Sequence, residues 1–164
     1  TDPKRLPRES KLLRLKIASG SGDQLDMPSE ISERVEEWIV CSSLGRGAPR
    51  ICKMCLTAEG RQLKLMPWGG TAARISKGVE SMGITPEHKI SSEQLLAGGM
   101  VKGQAFCFLP LPAETGLPVH TNGYFELSAN RRDIWYGDDM VGAGRLRAEW
   151  NAALLQDVVA PSYV

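Results

Sequence analysis

The chain runs to 164 residues, the size of one domain with its own hydrophobic core. Its 42% hydrophobic and 24% charged residues exclude a wholly disordered chain. A formal net charge of +1 excludes bulk attraction to nucleic acid or to an anionic membrane. No run approaches the ~20 apolar residues of a membrane span, and the charged N-terminus lacks the apolar stretch of a signal peptide. Position 1 is not Met, so the chain reads as a segment of a longer protein. The four cysteines, Cys41, Cys52, Cys55 and Cys107, are too sparse for a disulfide scaffold and point to a reducing compartment, the cytoplasm.

Residues 1–10, with Pro3 and Pro7 among charges, read as a linker to one domain over 11–164. The basic cluster Lys4, Arg5, Arg8, Lys11 and Arg14 reads as solvated. Leu13, Leu15 and Ile17 alternate with Arg14 and Lys16, the pattern of a half-buried strand. Ser19 to Asp23 is a turn region, and Pro28-Ser29-Glu30 offers a helix start without a long apolar stripe. The spacing then predicts a β-meander: Val35–Cys41, Ile51–Leu56 and the Leu63/Leu65 alternation, with turns at Gly45, Gly47, Pro49 and at Glu59-Gly60. Trp68-Gly69-Gly70 ends that unit. Residues 70–102 read as loops with one short helix and a sub-boundary.

Ala105 to Leu109 is apolar at successive positions, as a central strand covered on both sides would be, with Pro110 and Pro112 stopping it. Tyr124–Leu127 reads as a further strand with Phe125 and Leu127 on one face. Leu146, Trp150, Leu154 and Val158 recur every four residues beside Ala153, which predicts a helix over 144–158 limited by Pro161. Strands followed by a closing helix give an α+β fold, with a mixed or antiparallel sheet and the C-terminal helix packed on it. Its core is expected at Phe106, Phe108, Leu127, Leu146, Trp150 and Leu154. Loss of Trp150 should cost a few kcal/mol.

Few constellations invite chemistry. Cys52-Lys53-Met54-Cys55 has the CxxC pattern, but a second pair is missing. On a strand, residues three apart point to opposite faces, so these read as plain buried cysteines and no metal site is expected. His88 and His120 lack a nucleophile-elbow pattern, which leaves a hydrolase as the last reading. Gly98-Gly99-Met100-Val101-Lys102-Gly103 and Gly142-Ala143-Gly144 complete neither phosphate-loop string; the second reads as the loop leading into the C-terminal helix. Asp138-Asp139 is a weak cation pair without a calcium-loop glutamate. Arg131-Arg132 suits bidentate recognition of an anion, or local pairing with Asp133, Asp138 or Asp139. Trp68, Trp135 and Tyr136 are candidates for a surface that grips a peptide or ligand.

The C-terminal third carries a resemblance. The stretches Ala105-Phe106-Cys107-Phe108-Leu109-Pro110-Leu111-Pro112, Thr115-Gly116-Leu117-Pro118-Val119-His120 and Asn122-Gly123-Tyr124-Phe125-Glu126-Leu127-Ser128-Ala129-Asn130-Arg131-Arg132-Asp133-Ile134-Trp135 resemble the repeat region of the sacsin family. The likeness continues through Gly137-Asp138-Asp139-Met140 and the helix from Trp150 to Pro161, and is looser around Glu37-Trp38-Ile39. Sacsin repeats are related to the ninety-kilodalton heat-shock chaperone. The resemblance therefore implies a fold like that chaperone's middle domain, lying C-terminal to an ATPase domain of the same parent protein. It implies ATP in the parent module, no cofactor and no enzymatic activity for this chain alone, and partnership with the seventy-kilodalton heat-shock chaperone and client proteins.

In the ninety-kilodalton chaperone a strand near Leu-x-x-Ser-Arg sends its arginine to the ATP γ-phosphate. Leu127-Ser128-Ala129-Asn130-Arg131 is similar, with Asn130 in place of the serine and a shorter stretch from the Phe106 strand. That similarity implies Arg131, with Arg132 beside it, as a nucleotide phosphate sensor. Two functions are thus expected: an accessory segment of a chaperone module, and a free-standing peptide- or protein-binding module without nucleotide coupling. A segment that packs on a neighbour should expose an apolar patch just after position 67 and around Trp135.

Overall fold

The computed structural model describes residues 8–19, 32–45, 48–79, 101–137 and 141–163. The readings at residues 1–7, 20–31, 46–47 (Gly47 among them), 80–100 (His88 and Gly98-Gly99 among them) and 138–140 (Asp138-Asp139 among them) lie outside the described residues. Among the described residues the strands form one mixed six-stranded sheet in the order β1 (Arg8–Ser19), β2 (Ser32–Leu44), β3 (Trp68–Val79), β6 (Val119–Gly123), β4 (Gln104–Cys107) and β5 (Leu109–Glu114). With its C-terminal helix it makes the fold α+β.

Strands β1 (Arg8–Ser19) and β2 (Ser32–Leu44) pair antiparallel along their whole length, from Arg8↔Ser43 to Ser19↔Ser32. The chain from Arg8 onward is therefore strand and not linker. Leu12, Leu13 and Leu15 stay exposed because β1 is the edge of the sheet, so the expected half-burial of this strand fails. β2 pairs antiparallel with β3 (Trp68–Val79), with a register shift at Glu37/Trp38.

Between β2 and β3 the expected meander is replaced by two helices, α1 (Pro49–Leu56) and α2 (Ala58–Gln62). Pro49 occupies the first helical turn, where its missing N–H leaves nothing unpaired. Ile51, fully buried, and Cys52 and Cys55 beside it turn one side of α1 to the core. A six-residue apolar run does not distinguish strand from helix by period, and tertiary burial chose helix. The Leu63/Leu65 alternation is no strand either. Leu65 N–H reaches Gly60 O (3.0 Å) and Lys64 N–H reaches Arg61 O (3.1 Å), with Lys64 left-handed at φ 55°, a Schellman ending for α2.

Trp68-Gly69-Gly70 opens β3 instead of closing a unit. A Cβ on Gly69 would lie 2.9 Å from Val159 Cγ2, so the glycine admits the C-terminal helix against the sheet. β4 (Gln104–Cys107) runs parallel to β6 (Val119–Gly123), which pairs antiparallel with β3. Pro110 and Pro112 do not stop the structure but lie in β5 (Leu109–Glu114), an edge strand where a missing N–H costs no ladder bond. Tyr124–Leu127 leaves the sheet after Gly123 and retains one isolated bridge, Leu127↔Ile134. Phe125 and Leu127 nevertheless both join the core.

The C-terminal helix is α3 (Ala143–Leu154), extended by a π-helical turn (Leu155–Val159) and by α4 (Ala160–Tyr163). Trp150, Ala153, Leu154 and Val158 are all fully buried, as the four-residue recurrence predicts. Pro161 does not end the helix, because the π turn has already broken the i→i−4 ladder in which a proline would lack a donor. This element packs on one face of the sheet. Thr71 Oγ donates to Ser162 O (2.9 Å), and the core gathers Ile51, Leu65, Phe125, Trp150, Leu154 and Val158. Of the expected core, Leu127, Leu146 and Phe106 are half-buried. Phe108 is 61% exposed, since it sits at the turn between β4 and β5 with φ 60°.

Candidate functional site

The arginine pair is presented by a loop whose base is fixed on α3. Asn151, fully buried, accepts Glu126 N–H (2.8 Å) and donates its amide to Glu126 O (2.8 Å) and Trp135 O (2.9 Å). Arg147 ion-pairs with Glu126 (2.5 Å), Trp150 Nε1–H donates to Tyr124 O (2.9 Å), and Trp135 Nε1–H donates to Leu127 O (2.8 Å). Beyond that base, Ser128 N–H bonds Asp133 O (2.8 Å), Asp133 N–H bonds Ser128 Oγ (3.1 Å), and Asn130 Oδ1 accepts from Ser128 Oγ–H (2.5 Å) and Arg132 N–H (3.0 Å). This closed loop throws Arg131 and Arg132 outward.

Arg131 holds φ 57°, a conformation that non-glycine residues seldom adopt. Among the described residues neither arginine forms an ion pair, so Asp133 does not neutralise them. The arginine tip lies toward the end of β4. Burial raises the Cys107 thiol above its ordinary value, while a hydrogen bond to Phe125 O and the Arg131 charge pull it partly back.

The sheet face opposite α3 carries the second candidate. Along β6, Val119, Thr121 and Gly123 are buried toward the helix while His120 and Asn122 point away. Val40, Trp68, Ala72, Phe106, His120 and Asn122 line an open, mainly apolar groove of about 250 Å³. His120 stacks on Trp38 (centroids 5.4 Å) and meets Phe106 edge-on (5.5 Å). Its Nδ1 accepts Gln104 N–H (3.1 Å), so its proton sits on Nε2 when neutral. Burial first, and the Arg74 charge second, hold His120 below its ordinary value, favouring that neutral form. Trp38 Nε1–H donates to Glu36 (3.1 Å), a buried carboxylate also paired with Arg34 (3.4 Å) and Arg74 (3.5 Å).

At the rim, Trp68 stacks on Phe108 (5.7 Å) and Phe108 meets Tyr124 edge-on (5.8 Å). Phe108 is fixed by its N–H to Asn122 Oδ1 (3.0 Å), and Leu109 beside it is 68% exposed.

The apolar patch expected just after position 67 is therefore present, and Trp68 is part of it. Trp135 is not: its indole is committed to the arginine loop. Tyr136 stands exposed after that loop. Sequence reasoning missed Trp38, Phe106, Phe108, His120 and Tyr124 as surface residues. The alternation Val119-His120-Thr121-Asn122-Gly123 was the signal that could have revealed the open face. His120 contacts aromatic rings and a backbone amide; Cys41 and Ser42 line the same groove, but among the described residues neither is hydrogen-bonded to the imidazole.

Gly103 is buried and its backbone is spent on Leu117 O (3.0 Å) and Thr115 N–H (2.9 Å), which removes it from any phosphate loop. Gly142 is the N-cap of α3, as a lead-in glycine. The CxxC lies in a helix, so Cys52 and Cys55 fall on one side and not on opposite faces. Among the described residues no group of three or more His, Cys, Asp or Glu could hold a metal ion, and no helix is long and apolar enough to cross a membrane.

No family model matches the chain, and no solved structure matches it. The chain is 35% identical to human Sacsin (Homo sapiens) over 141 residues, 84% of its own length. It spans about 3% of the length of that relative. The match reaches well beyond the C-terminal third in which the motifs lie. By this similarity the chain is a sacsin-related segment.

Proposed function

We propose that this chain is an accessory, middle-domain-like segment of a sacsin-type chaperone repeat. It packs next to an ATPase domain of the parent protein and supports client handling in cytoplasmic protein quality control. The observation that carries the reading is the identity with human Sacsin across most of the chain. Two surface features fit it. The aromatic face is a docking area for the neighbouring domain, of the apolar kind that a segment inside a larger assembly needs. The arginine tip offers two guanidinium groups, unpaired among the described residues, on a loop pinned to a buried helix. An arginine offered from a second domain can neutralise charge on the terminal phosphate of a nucleotide held by the first. In this reading Arg131 is the phosphate sensor, Arg132 its neighbour, and ATP is bound by the adjacent domain. The fold's relation to the middle domain of the ninety-kilodalton chaperone, and work with the seventy-kilodalton chaperone, belong to the same proposal.

The test is ATP turnover by this chain alone, by the adjacent ATPase domain joined to it, and by the joined form with Arg131→Ala. Turnover is expected only in the joined form, falling tenfold or more with Arg131→Ala. Equal turnover in that variant removes the sensor role, and no turnover in any form leaves a scaffold.

The exposed Phe108, stacked on Trp68 and edge-on to Tyr124, supports a second reading, a free-standing peptide-binding module. That reading expects a monodisperse isolated chain that captures aromatic-rich peptides and loses them on Trp68→Ala.

A further inference from the structure

We propose that Cys52 and Cys55 are a dithiol site that closes reversibly into a disulfide within α1 by exchange with low-molecular-weight disulfides such as glutathione disulfide. The inference is independent of the chaperone reading.

The helix creates the geometry that a strand would forbid. Residues i and i+3 of an α-helix lie on the same side. Their Cα atoms sit about 5 Å apart, inside the ~4.4–6.8 Å that a disulfide spans. Their Cβ atoms, about 5–6 Å apart in a regular helix, must draw in to about 4 Å, so closure distorts the last turn of α1 and leaves a strained, easily reduced bridge. Both side chains are half-buried at the margin of the core, so they are ordered yet within reach of solvent. Cys52 is held in place by donating its S–H to Gly45 O (3.1 Å). The two sulfurs feel each other: Cys55 is raised above its ordinary thiol value by burial and, next, by Cys52. A bridge needs only these two groups, whereas a zinc site needs further ligands that the described residues do not gather around them. Cys107 lies in β4, with no second cysteine on its strand.

In the reaction one cysteine loses its proton to water, and the thiolate attacks one sulfur of glutathione disulfide. The oxidant's S–S bond breaks and one glutathione leaves. The second cysteine, deprotonated in turn, attacks the protein sulfur of the mixed disulfide and expels the second glutathione. Two electrons and two protons leave the pair, and the oxidant is reduced to two thiols. Because the thiolate is the attacking form and burial holds Cys55 protonated, closure accelerates as pH rises.

The test equilibrates the whole chain in mixtures of reduced and oxidised glutathione, quenches with acid, alkylates the free thiols and weighs the protein. The expected result is loss of two of the four alkylatable thiols. The unalkylated mass should fall by about 2 Da, with the bridge mapped to the 52–55 peptide. Cys41→Ser/Cys107→Ser should still close. Cys52→Ser and Cys55→Ser should each fail to close and retain a glutathione adduct instead. Four alkylatable thiols in every mixture, glutathione adducts alone on the unaltered chain, or a bridge to Cys41 or Cys107 would each overturn the assignment. Far-UV circular dichroism checks that each variant folds, and the bridge map on the unaltered chain decides the question without any variant.

Discussion

Asn151→Ala should be among the most damaging single-residue changes in this chain, although it removes no apolar side chain. The side chain is fully buried on α3 and satisfies three backbone groups of the segment that carries the arginine tip: Glu126 N–H, Glu126 O and Trp135 O. Truncation strands all three, at about 1–3 kcal/mol for each buried group left unpaired. Glu126 and Trp135 are half-buried, so water recovers part of that cost, and alanine returns about 0.5 kcal/mol in helix propensity. The net loss comes to roughly 3–4 kcal/mol, a large share of the ~5–15 kcal/mol available to a typical domain. It corresponds to a drop in Tm on the order of 10 °C. Urea denaturation followed by far-UV and near-UV circular dichroism reads both the stability and the environment of Trp135. A loss below about 1 kcal/mol with the Trp135 signal intact would refute the claim that Asn151 staples this segment to the helix.

Arg131→Gly should raise stability by about 0.5–1 kcal/mol, because glycine holds the left-handed backbone without strain, whereas Arg131→Ala should not. Thermal melts that rank glycine below alanine would show that residue 131 does not hold a left-handed backbone. His120 is neutral-favouring when folded, so the unfolded chain takes up a proton first as pH falls. Stability is therefore full above the ordinary value of 6.5 and declines as pH drops from there toward the lowered folded value. The urea midpoint should fall between pH 7.5 and 5.5, and His120→Gln should flatten that dependence; an unchanged slope would assign it to other groups. Gly103→Ala should cost about 3 kcal/mol or more, since its Cβ would lie 2.0 Å from Val119 O and 2.3 Å from Leu117 O. A soluble Gly103→Ala chain with unchanged Tm would mean that the backbone there is not as close as described.

Much of the fold was legible where one period ran without competition. The recurrence Leu146-Trp150-Leu154-Val158 marks the C-terminal helix because four-residue spacing admits one buried face, and the structure buries Trp150, Leu154 and Val158 completely. Alternation likewise marked β1, and the apolar run Trp38–Cys41 marked the core of β2. Local pattern was insufficient where a short run fitted two states. Ile51–Leu56 became a helix because Pro49 and the burial of Ile51 favour it, a choice made by the core and not by the run. Pro110, Pro112 and Pro161 read as stops, yet edge position and a π turn made each harmless, and neither fact is local.

The arginine pair was visible as adjacent charges, but only the tertiary structure supplied Asn151, Arg147 and Trp150 as the frame that holds its loop. The aromatic face was least legible of all. Trp38, Trp68, Phe106 and His120 are far apart in the chain, and only the pairing order of the strands brings them to one surface. By itself the sequence determined composition, the closing helix and kinship with sacsin, because these depend on residue identity and short spacing. Tertiary structure decided which face of the sheet stays open and that two cysteines share one side of a helix, because both follow from what is buried against what.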